Sequence, residues 1–448
     1  MNTASQFGHL EIVQYLLDKN LSVNEMSTDR WTPLLSAANN GHLDILKLLI
    51  DQNAEIDHQS VNGWNALKCA ASNGHIEIMK ELLKHKVKVN QTEDGNSTLV
   101  FAINAIQLDA INLLLENGAC FNKSNPNEKF PSLHKALSSR NLDFIKFAIS
   151  KGANIDEYNE EFGYPLTLAL KMELPEIVVY LIESGCNINV EFEDTSAIVF
   201  ATAKNYLNIV ELMMNQKSIK LNTFDSSKLN CPMVANTFEM LELLVKLKFN
   251  LDEMVMKSTP LLRASHNKNF QKVKWLLELG ANPNKTDNNG TSPLMIAASE
   301  NEIETLKLLI QYDCNVNLQN VNGDNALLYA LDCDEIENAK YLIANGIDLN
   351  MKQQDGQNAL MLAIERDQIE ILKLLLECRV LMNEILFEEN VMMIAIEIGN
   401  LEIVKLLIEY GIDIDFVCKI TGQNGLTYAI QRNKEIVKLL INEGFEMK

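Results

Sequence analysis

The sequence predicts an all-α protein built as a continuous array of helix–turn–helix repeats. A polar residue followed by Pro or Ala and then Leu recurs every 33 residues, in the pair Leu34 and Leu67 and in the run Leu261, Leu294, Leu327 and Leu360. Further copies occur at Leu99, Leu133, Leu166, Ile198, Met233, Met392 and Leu426. These thirteen starts, with one truncated copy ahead of them, indicate stacked units rather than separate globular domains.

The first helix of each repeat has a defined start. Ser, Thr or Asn stands two positions before the key Leu in ten copies, at 32, 65, 97, 196, 259, 292, 325, 358, 390 and 424. Such side chains accept hydrogen bonds from the free N–H groups of a helix start. Proline follows at Pro33, Pro165, Pro232, Pro260 and Pro293. We expect these prolines at the first helical position, where the missing N–H costs nothing.

The second helix follows a tight link such as Gly41-His42 and carries paired large apolar residues such as Leu48 and Leu49. Residues that tolerate the left-handed conformation close it, namely Gly118, Gly152, Gly185, Gly280, Gly346, Gly411, Gly444, Asn20, Asn53 and Asp313. Hairpin dipeptides such as Asn62-Gly63 then reverse the chain. The pattern therefore predicts two antiparallel helices and an extended turn in each repeat.

These features resemble the ankyrin repeat. The Thr-Pro-Leu start, the double Leu and the closing Gly-Ala match that family best from Trp31 to Ala54 and from Ser258 to Asn284, and the likeness covers essentially the whole chain. The segment from Ser132 to Ala136 is similar to the T-P-L-H-x-A core, with Ser in place of Pro. The resemblance implies an ankyrin-repeat solenoid whose hairpin tips and first helices line a concave surface.

The spacing divides the chain into four segments. They are a truncated first repeat at 1–27, an N-terminal repeat block at 28–228, a degenerate short repeat at 229–256 and a C-terminal repeat block at 257–448. Met233 and Leu261 are only 28 residues apart, which indicates either one decayed repeat or a hinge. Because Ala4 aligns with Ala37, we expect the sequence to begin inside a first helix, as a fragment or an incomplete gene model would.

Composition favours a soluble, reduced, cytoplasmic monomer. The 448 residues are 47% hydrophobic and 22% charged, which is enough for a packed core and excludes a disordered chain. The net charge of −21 disfavours nucleic acid and anionic membrane surfaces as direct partners. No signal peptide and no apolar run of the ~20 residues that a membrane span requires is visible.

No sequence motif predicts catalysis or a cofactor. There is no Gly-rich phosphate loop, G-x-S-x-G elbow, H-E-x-x-H motif or kinase signature. The eight cysteines form no C-x-x-C pair, and Cys186 and Cys314 occupy the same position after a helix, as small buried residues would. We expect no metal, no cofactor and no enzymatic activity.

Aromatic residues beside the hairpin tips predict a partner-binding surface. The position three before the key Leu holds Trp31, Trp64, Asn96 and Phe130 in four early repeats. Tryptophan is a preferred anchor of protein interfaces. Helix-end residues would add polar contacts, namely Asn39, Asn40, Ser72 and Asn73. The alternative is that each ring folds over its own hairpin and serves only packing.

A second candidate surface is acidic. One hairpin carries Glu157, Glu160 and Glu161, and the next carries Glu191, Glu193 and Asp194. Stacking would bring the two tips side by side and create a negative lip that attracts a basic segment. A solvated surface without a partner is the alternative.

Three classes of function remain open. A binding adaptor would capture a partner protein on the concave surface. A mechanical or cytoskeletal spacer would have no dominant patch, and a regulatory repeat region would belong to a larger enzyme. Because a repeat scaffold does not fix function, the sequence favours the adaptor without naming its partner.

Overall fold

The computed structural model describes residues 1–90, 97–119, 121, 132–216, 218–220, 223–381, 385–386, 389–413, 416–418 and 422–442. They form two compact units, Met1–Ser226 and Ser227–Lys448. Each unit is an array of short helices, and the only strands in the described part of the chain are two-residue pairs. We describe the two units separately as unit 1 and unit 2.

Unit 1 contains fourteen helices and one small hairpin. The helices are α1 (Asn2–Gln6), α2 (Leu10–Asp18), α3 (Pro33–Asn40), α4 (Leu43–Asp51), α5 (Ala66–Asn73), α6 (Ile76–Lys84), α7 (Thr98–Asn104), α8 (Leu108–Glu116), α9 (Ser132–Ser138), α10 (Leu142–Ser150), α11 (Pro165–Lys171), α12 (Pro175–Glu183), α13 (Ala197–Ala203) and α14 (Leu207–Met214). Strands β1 (Glu191–Phe192) and β2 (Thr195–Ser196) pair antiparallel ahead of α13.

Unit 2 repeats this plan. Its helices are α15 (Cys231–Val234), α16 (Phe238–Lys246), α17 (Pro260–His266), α18 (Phe270–Glu278), α19 (Pro293–Ser299), α20 (Ile303–Gln311), α21 (Ala326–Asp332), α22 (Ile336–Ala344), α23 (Ala359–Glu365), α24 (Ile369–Glu377), α25 (Val391–Ile398), α26 (Leu401–Glu409), α27 (Gly425–Ile430) and α28 (Lys434–Asn442). Strands β3 (Ile385–Leu386) and β4 (Glu389–Asn390) pair antiparallel ahead of α25.

The helices of each unit form two layers. Odd-numbered helices are the first helices of the repeats and pack against one another, while the even-numbered second helices pack in the other layer. In α4, Ile45, Leu46 and Leu49 are buried between repeats, and the amphipathic spacing leaves Lys47 exposed. The prediction of an all-α helix–turn–helix array is therefore confirmed, with fourteen helix pairs in the described residues.

Most predicted helix caps form, and two predicted caps are wrong. Eight of the ten predicted side chains accept a hydrogen bond at the helix start, as Thr32 does from the Leu35 N–H at 3.3 Å. The hydroxyls of Ser97 and Ser196 are buried and make no hydrogen bond among the described residues. At Ser97 the Val100 N–H donates to the Ser97 carbonyl instead, at 3.1 Å.

The short repeat starts one residue earlier than the sequence predicts. Asn230 caps α15 by accepting a hydrogen bond from the Met233 N–H at 3.2 Å, so Pro232 is the second helical residue rather than the first. The helix has only four residues because its backbone leaves the helical conformation at Ala235, where ψ is 131°. This is the shortest helix among the described residues.

Left-handed residues close the second helices as predicted. The expected glycines from Gly118 to Gly411 have φ between 80° and 92°, and Asn20, Asn53 and Asp313 also have positive φ. Gly444 lies outside the described residues. The link between the two helices uses the same conformation at glycine in four repeats, Gly8, Gly41, Gly74 and Gly399. In seven others a non-glycine residue has positive φ, namely Ile106, Arg140, Glu173, Asn205, Lys268, Asp334 and Asp367.

Side chains at the start of second helices bridge successive repeats. The last carbonyls of a helix have no partner within it. His42 Nε2 lies 3.0 Å from the Gln6 carbonyl, and His75 Nε2 lies 3.1 Å from the Asn39 carbonyl, each one repeat earlier. Asn338, Gln368, Asn433 and Lys272 donate to equivalent carbonyls in unit 2. His42 and His75 therefore have a structural role, because each joins two successive repeats.

Candidate functional site

The first helices and the turns preceding them form the surface that holds the predicted site residues, and we call it the turn face. Trp31 and Trp64 close turns of identical geometry. The Trp31 N–H donates to Ser27 Oγ at 3.1 Å, and the Trp64 N–H donates to Ser60 Oγ at the same distance. Both tryptophans are half-buried, so their rings are partly available to a partner.

Trp64 also packs against the next repeat. Its ring centroid lies 4.6 Å from that of Phe101 on α7, with the ring planes tilted by 54°. Lys68 lies below them, fully buried, with Nζ 2.9 Å from the Gly63 carbonyl and 5.5 Å from the Phe101 ring centroid. Trp64 therefore packs against the following repeat, while part of its ring stays exposed.

The predicted polar residues lie at the ends of α3 and α5. Asn40 and Asn73 are exposed, and Asn39 and Ser72 are half-buried. Asn73 Nδ2 donates to Asn39 Oδ1 at 3.2 Å and to the Cys69 carbonyl at 2.9 Å, which joins two successive helix ends. These amides provide free acceptor and donor positions on the same surface as the two tryptophans.

The two acidic hairpins are adjacent, as the sequence predicts. Phe192 of one hairpin lies so close to Gly163 of the other that a Cβ on this glycine would meet the Phe192 ring at 2.4 Å. Glu160, Glu161 and Glu193 are exposed around this contact. Asp194 is exposed as well, and it shares with Glu193 the positive φ values of a tight hairpin turn.

Lys171 is a neighbour of the acidic turns that sequence reasoning missed. Its Nζ lies 3.1 Å from Glu193 Oε2 and 4.0 Å from the centroid of the Phe192 ring. The lysine thus neutralises part of the negative charge and holds the hairpin against the end of α11. Its position as the last residue of a first helix is the only sequence signal for this contact.

Two cavities open on the turn face of unit 1, one repeat apart. The first, of about 270 Å³, lies between α9 and α11 and is lined by His134, Lys135, Ser138, Phe162, Leu168 and Met172. The second, of about 60 Å³, lies between α11 and α13 and is lined by Thr167, Leu170, Lys171, Phe192, Glu193, Thr195, Ala197 and Phe200. The phenylalanines on the first helices, Phe101 and Phe200, each follow the key apolar residue by two positions, a signal the sequence analysis did not use.

The predicted residues fall into two groups within unit 1. Trp31, Trp64 and the helix-end amides form one group, and the acidic turns with the two cavities form the other. Phe130 and Asn96, which would lie between them in sequence, are outside the described residues.

Buried ionisable groups in this region have shifted pKa values. Burial raises the pKa of Cys69 to about 12, so this thiol on α5 stays protonated at neutral pH. Burial also lowers the pKa of His134, whose Nε2 lies 2.9 Å from the Gly163 carbonyl. Cys186 and Cys314 are buried with pKa values raised to about 12, which confirms the prediction of small buried residues.

Searches for other sites gave negative results within the described part of the chain. No group of three or more His, Cys, Asp or Glu side chains there could hold a metal ion. In the same ranges, no helix combines the length and the apolar character that crossing a membrane requires.

Comparison with protein families decides the assignment of the fold. The family described as ankyrin repeats (3 copies) matches residues 1–60, 37–125, 101–192, 133–225, 200–287, 261–353, 294–383 and 360–448. The chain belongs to the ankyrin-repeat family. Each unit is accordingly an ankyrin-repeat solenoid, and ankyrin repeats are generally modules of protein–protein interaction.

Three similar proteins each cover part of the chain. A stretch of 67 residues is 36% identical to BRCA1-associated RING domain protein 1 of Caenorhabditis elegans, covering 15% of this chain and 10% of that protein. The human ASB11 ankyrin repeat domain is 22% identical, with a TM-score of 0.42, 49% of this chain covered and 99% of that chain. The ankyrin repeat domain of Bcl-3 has the same identity and TM-score, with 47% and 95% covered.

Proposed function

We propose that this ankyrin-repeat protein is a cytoplasmic, monomeric adaptor that binds a partner protein on the turn face of unit 1. The observation that carries the proposal is the pair of half-exposed tryptophans, Trp31 and Trp64, held in identical turns of adjacent repeats. Tryptophan buries a large area on binding at a small cost in side-chain entropy, so two partly exposed tryptophans in adjacent repeats favour an interface anchor. We propose no catalytic activity and no cofactor.

The polar residues around the rings suit the rim of an interface. Asn39, Asn40, Ser72 and Asn73 follow the tryptophans by about one helix length and can accept or donate hydrogen bonds to a partner backbone. Interfaces combine a few aromatic anchors with such adaptable polar contacts. The arrangement favours a protein partner over nucleic acid, because the chain carries a net charge of −21.

The test is affinity capture from native cell extract followed by identification of the captured proteins. Three forms of the full chain are compared with the wild type. Trp31→Ser/Trp64→Ser removes the proposed anchors, and Asn40→Arg/Asn73→Arg blocks the surface without removing a buried side chain. Gln14→Arg/Gln52→Arg is the matched control, because it adds the same charge at exposed positions of the other helix layer.

We expect a protein that the wild type and the control capture and that both turn-face variants lose. Circular dichroism of each variant checks that the repeats remain folded, which matters for Trp64 because its ring packs on Phe101. Equal capture by all four forms would show that the partner does not bind this surface and would overturn the proposal. Capture of nothing by the folded wild type would contradict the adaptor and favour a mechanical spacer.

A further inference from the structure

We propose that the two cavities on the turn face of unit 1 bind one linear peptide segment, with two aliphatic side chains three residues apart and basic residues beside them. The inference rests on the proposed function and names the class of partner that a second part of the turn face would take. We call this surface the paired-cavity site, defined by the cavities on either side of α11.

The walls of the paired-cavity site are suited to aliphatic side chains. Phe162, Leu168 and Met172 line the larger cavity, of about 270 Å³, and Leu170, Phe192 and Phe200 line the smaller, of about 60 Å³. Burying a side chain there removes apolar surface from water at both partners. The larger aliphatic side chain, such as Leu, goes to the larger cavity, and the more compact one, such as Val, goes to the smaller.

The spacing of the cavities selects the conformation of the ligand. Both open between neighbouring first helices, so their separation is one interhelical distance, about 8–10 Å. A polyproline II segment advances about 9 Å in one turn of three residues, which returns a side chain to the same face. An extended strand places side chains on one face every second residue, about 7 Å apart, and fits this separation less well.

The charge of the protein around the cavities determines which residues should flank the two aliphatic side chains of the ligand. Glu160, Glu161, Glu191, Glu193 and Asp194 are exposed on the two turns that border the cavities. The opposing positive charges at the cavity walls are Lys135 and Lys171, and Lys171 is already paired with Glu193 at 3.1 Å. The turn side of the site therefore has an excess of negative charge, which complements Lys or Arg in the ligand.

Contacts of the β1–β2 hairpin hold the wall between the two cavities in place. Phe192 lies against Gly163 of the preceding turn, and Lys171 Nζ lies 4.0 Å from the centroid of the same ring. These contacts fix the wall between the two cavities, so a ligand meets a preformed surface and loses less free energy to ordering of the protein.

The direct test is a titration of the full chain with fluorescent peptides in low-salt buffer. The two probes contain Lys-Lys-Leu-Pro-Pro-Val-Lys-Lys and Lys-Lys-Val-Pro-Pro-Leu-Lys-Lys. Both orders are needed because the peptide can run along the two cavities in either direction. Two controls of the same composition place the aliphatic residues two apart, as in Lys-Lys-Leu-Pro-Val-Pro-Lys-Lys. We expect one probe to bind about tenfold tighter than its control, because a misplaced side chain loses one cavity.

Variants of the protein locate the binding. Ser138→Trp places a large ring at an exposed position lining the larger cavity and should weaken the better probe about tenfold. Glu160→Lys/Glu161→Lys should weaken it about fivefold, with a smaller effect at high salt. Glu183→Lys/Glu211→Lys, at exposed positions of the second helices, is the matched charge control and should leave affinity within about twofold.

The outcomes separate this inference from the proposed function. Equal affinity for probes and spacing controls would show attraction by net charge alone and overturn the paired-cavity site. Unchanged affinity of Ser138→Trp would do the same. Either result leaves the capture experiment on Trp31 and Trp64 intact, whereas spacing-dependent binding with no tryptophan-dependent capture would support the paired cavities alone.

Discussion

Ile106, the link residue between α7 and α8, has a φ of 55° and a side chain that is 42% exposed. A β-branched residue is strained in the left-handed region, and the burial it gains there is small. We expect Ile106→Asn to raise the free energy of unfolding by about 1 kcal/mol, because asparagine tolerates this conformation. Urea denaturation measures the change. Leu108→Asn, at a right-handed helical position of similar exposure, is the control and should give no gain.

Lys272 carries a buried charge that makes stability depend on pH. Its Nζ donates to the carbonyls of Met233 and Ala235 at 2.6 and 2.7 Å, and burial, followed by the charge of Arg263, lowers its pKa from 10.5 to about 8. Between these two values the unfolded chain binds a proton that the folded chain has lost. The cost of the buried charge is therefore complete below pH 8 and is relieved as pH rises towards 10.5.

We expect the wild type to gain about 2 kcal/mol of unfolding free energy relative to Lys272→Met between about pH 7 and about pH 10. The comparison with the variant removes the general effect of titrating the other lysines and tyrosines. A difference between the two proteins that stays constant over this range would show that Lys272 keeps its ordinary pKa.

The sequence predicts the position of a residue in the repeat better than it predicts that residue's neighbours. Trp31 and Trp64 were found because they share one position in the repeat, and the structure places them in identical turns. Lys68 and Lys171 were missed because their roles depend on contacts with Gly63 and Glu193 that no local pattern encodes. Whether any of these residues binds a partner is a prediction that the experiments above test.

At the element scale, a left-handed glycine that ends a helix can meet two separable requirements, a positive φ and the close approach of a neighbouring side chain. Gly41 has a φ of 83°, and a Cβ there would meet the His75 ring at 2.9 Å, whereas Gly346 has a φ of 80° and open space around it. We expect Gly346→Ala to cost about 1 kcal/mol from backbone strain alone. Gly41→Ala should cost about 1 kcal/mol more, because the histidine that bridges two repeats must move. If thermal or urea unfolding shows the same loss of stability for Gly41→Ala and Gly346→Ala, the contact with His75 adds nothing to the requirement at Gly41.

The starts of most first helices could be predicted from the capping residue and the backbone before it, and three starts could not. Eight predicted caps formed because the residue type and the extended backbone before the helix suffice for the hydrogen bond. At Ser97 the Val100 N–H donates to the Ser97 carbonyl, and the Ser97 hydroxyl makes no hydrogen bond among the described residues. Helix α15 begins one residue earlier than the sequence predicts. Its N-cap is Asn230, which accepts a hydrogen bond from the Met233 N–H.

At the scale of the whole chain, we expect the short repeat to be the weakest unit of the array. Stability in such arrays is a sum over repeats and their interfaces, and α15 has four residues where other first helices have five to eight. We expect the amides of residues 225–255 to exchange faster than those of the helices on either side of this segment. Native-state hydrogen exchange measures this directly, and protection of the segment among the highest in the chain would contradict it.

The measurement that tests the central claim most directly is hydrogen exchange of the full chain with and without the captured partner. If the turn face binds, protection on complex formation should be confined to the turns and first helices of unit 1, with residues 27–41 and 60–74 among them. The second helices α4 and α6 should exchange as in the free protein. Protection centred on α4 and α6, with residues 27–41 and 60–74 unchanged, would place the partner on the other helix layer and contradict the account.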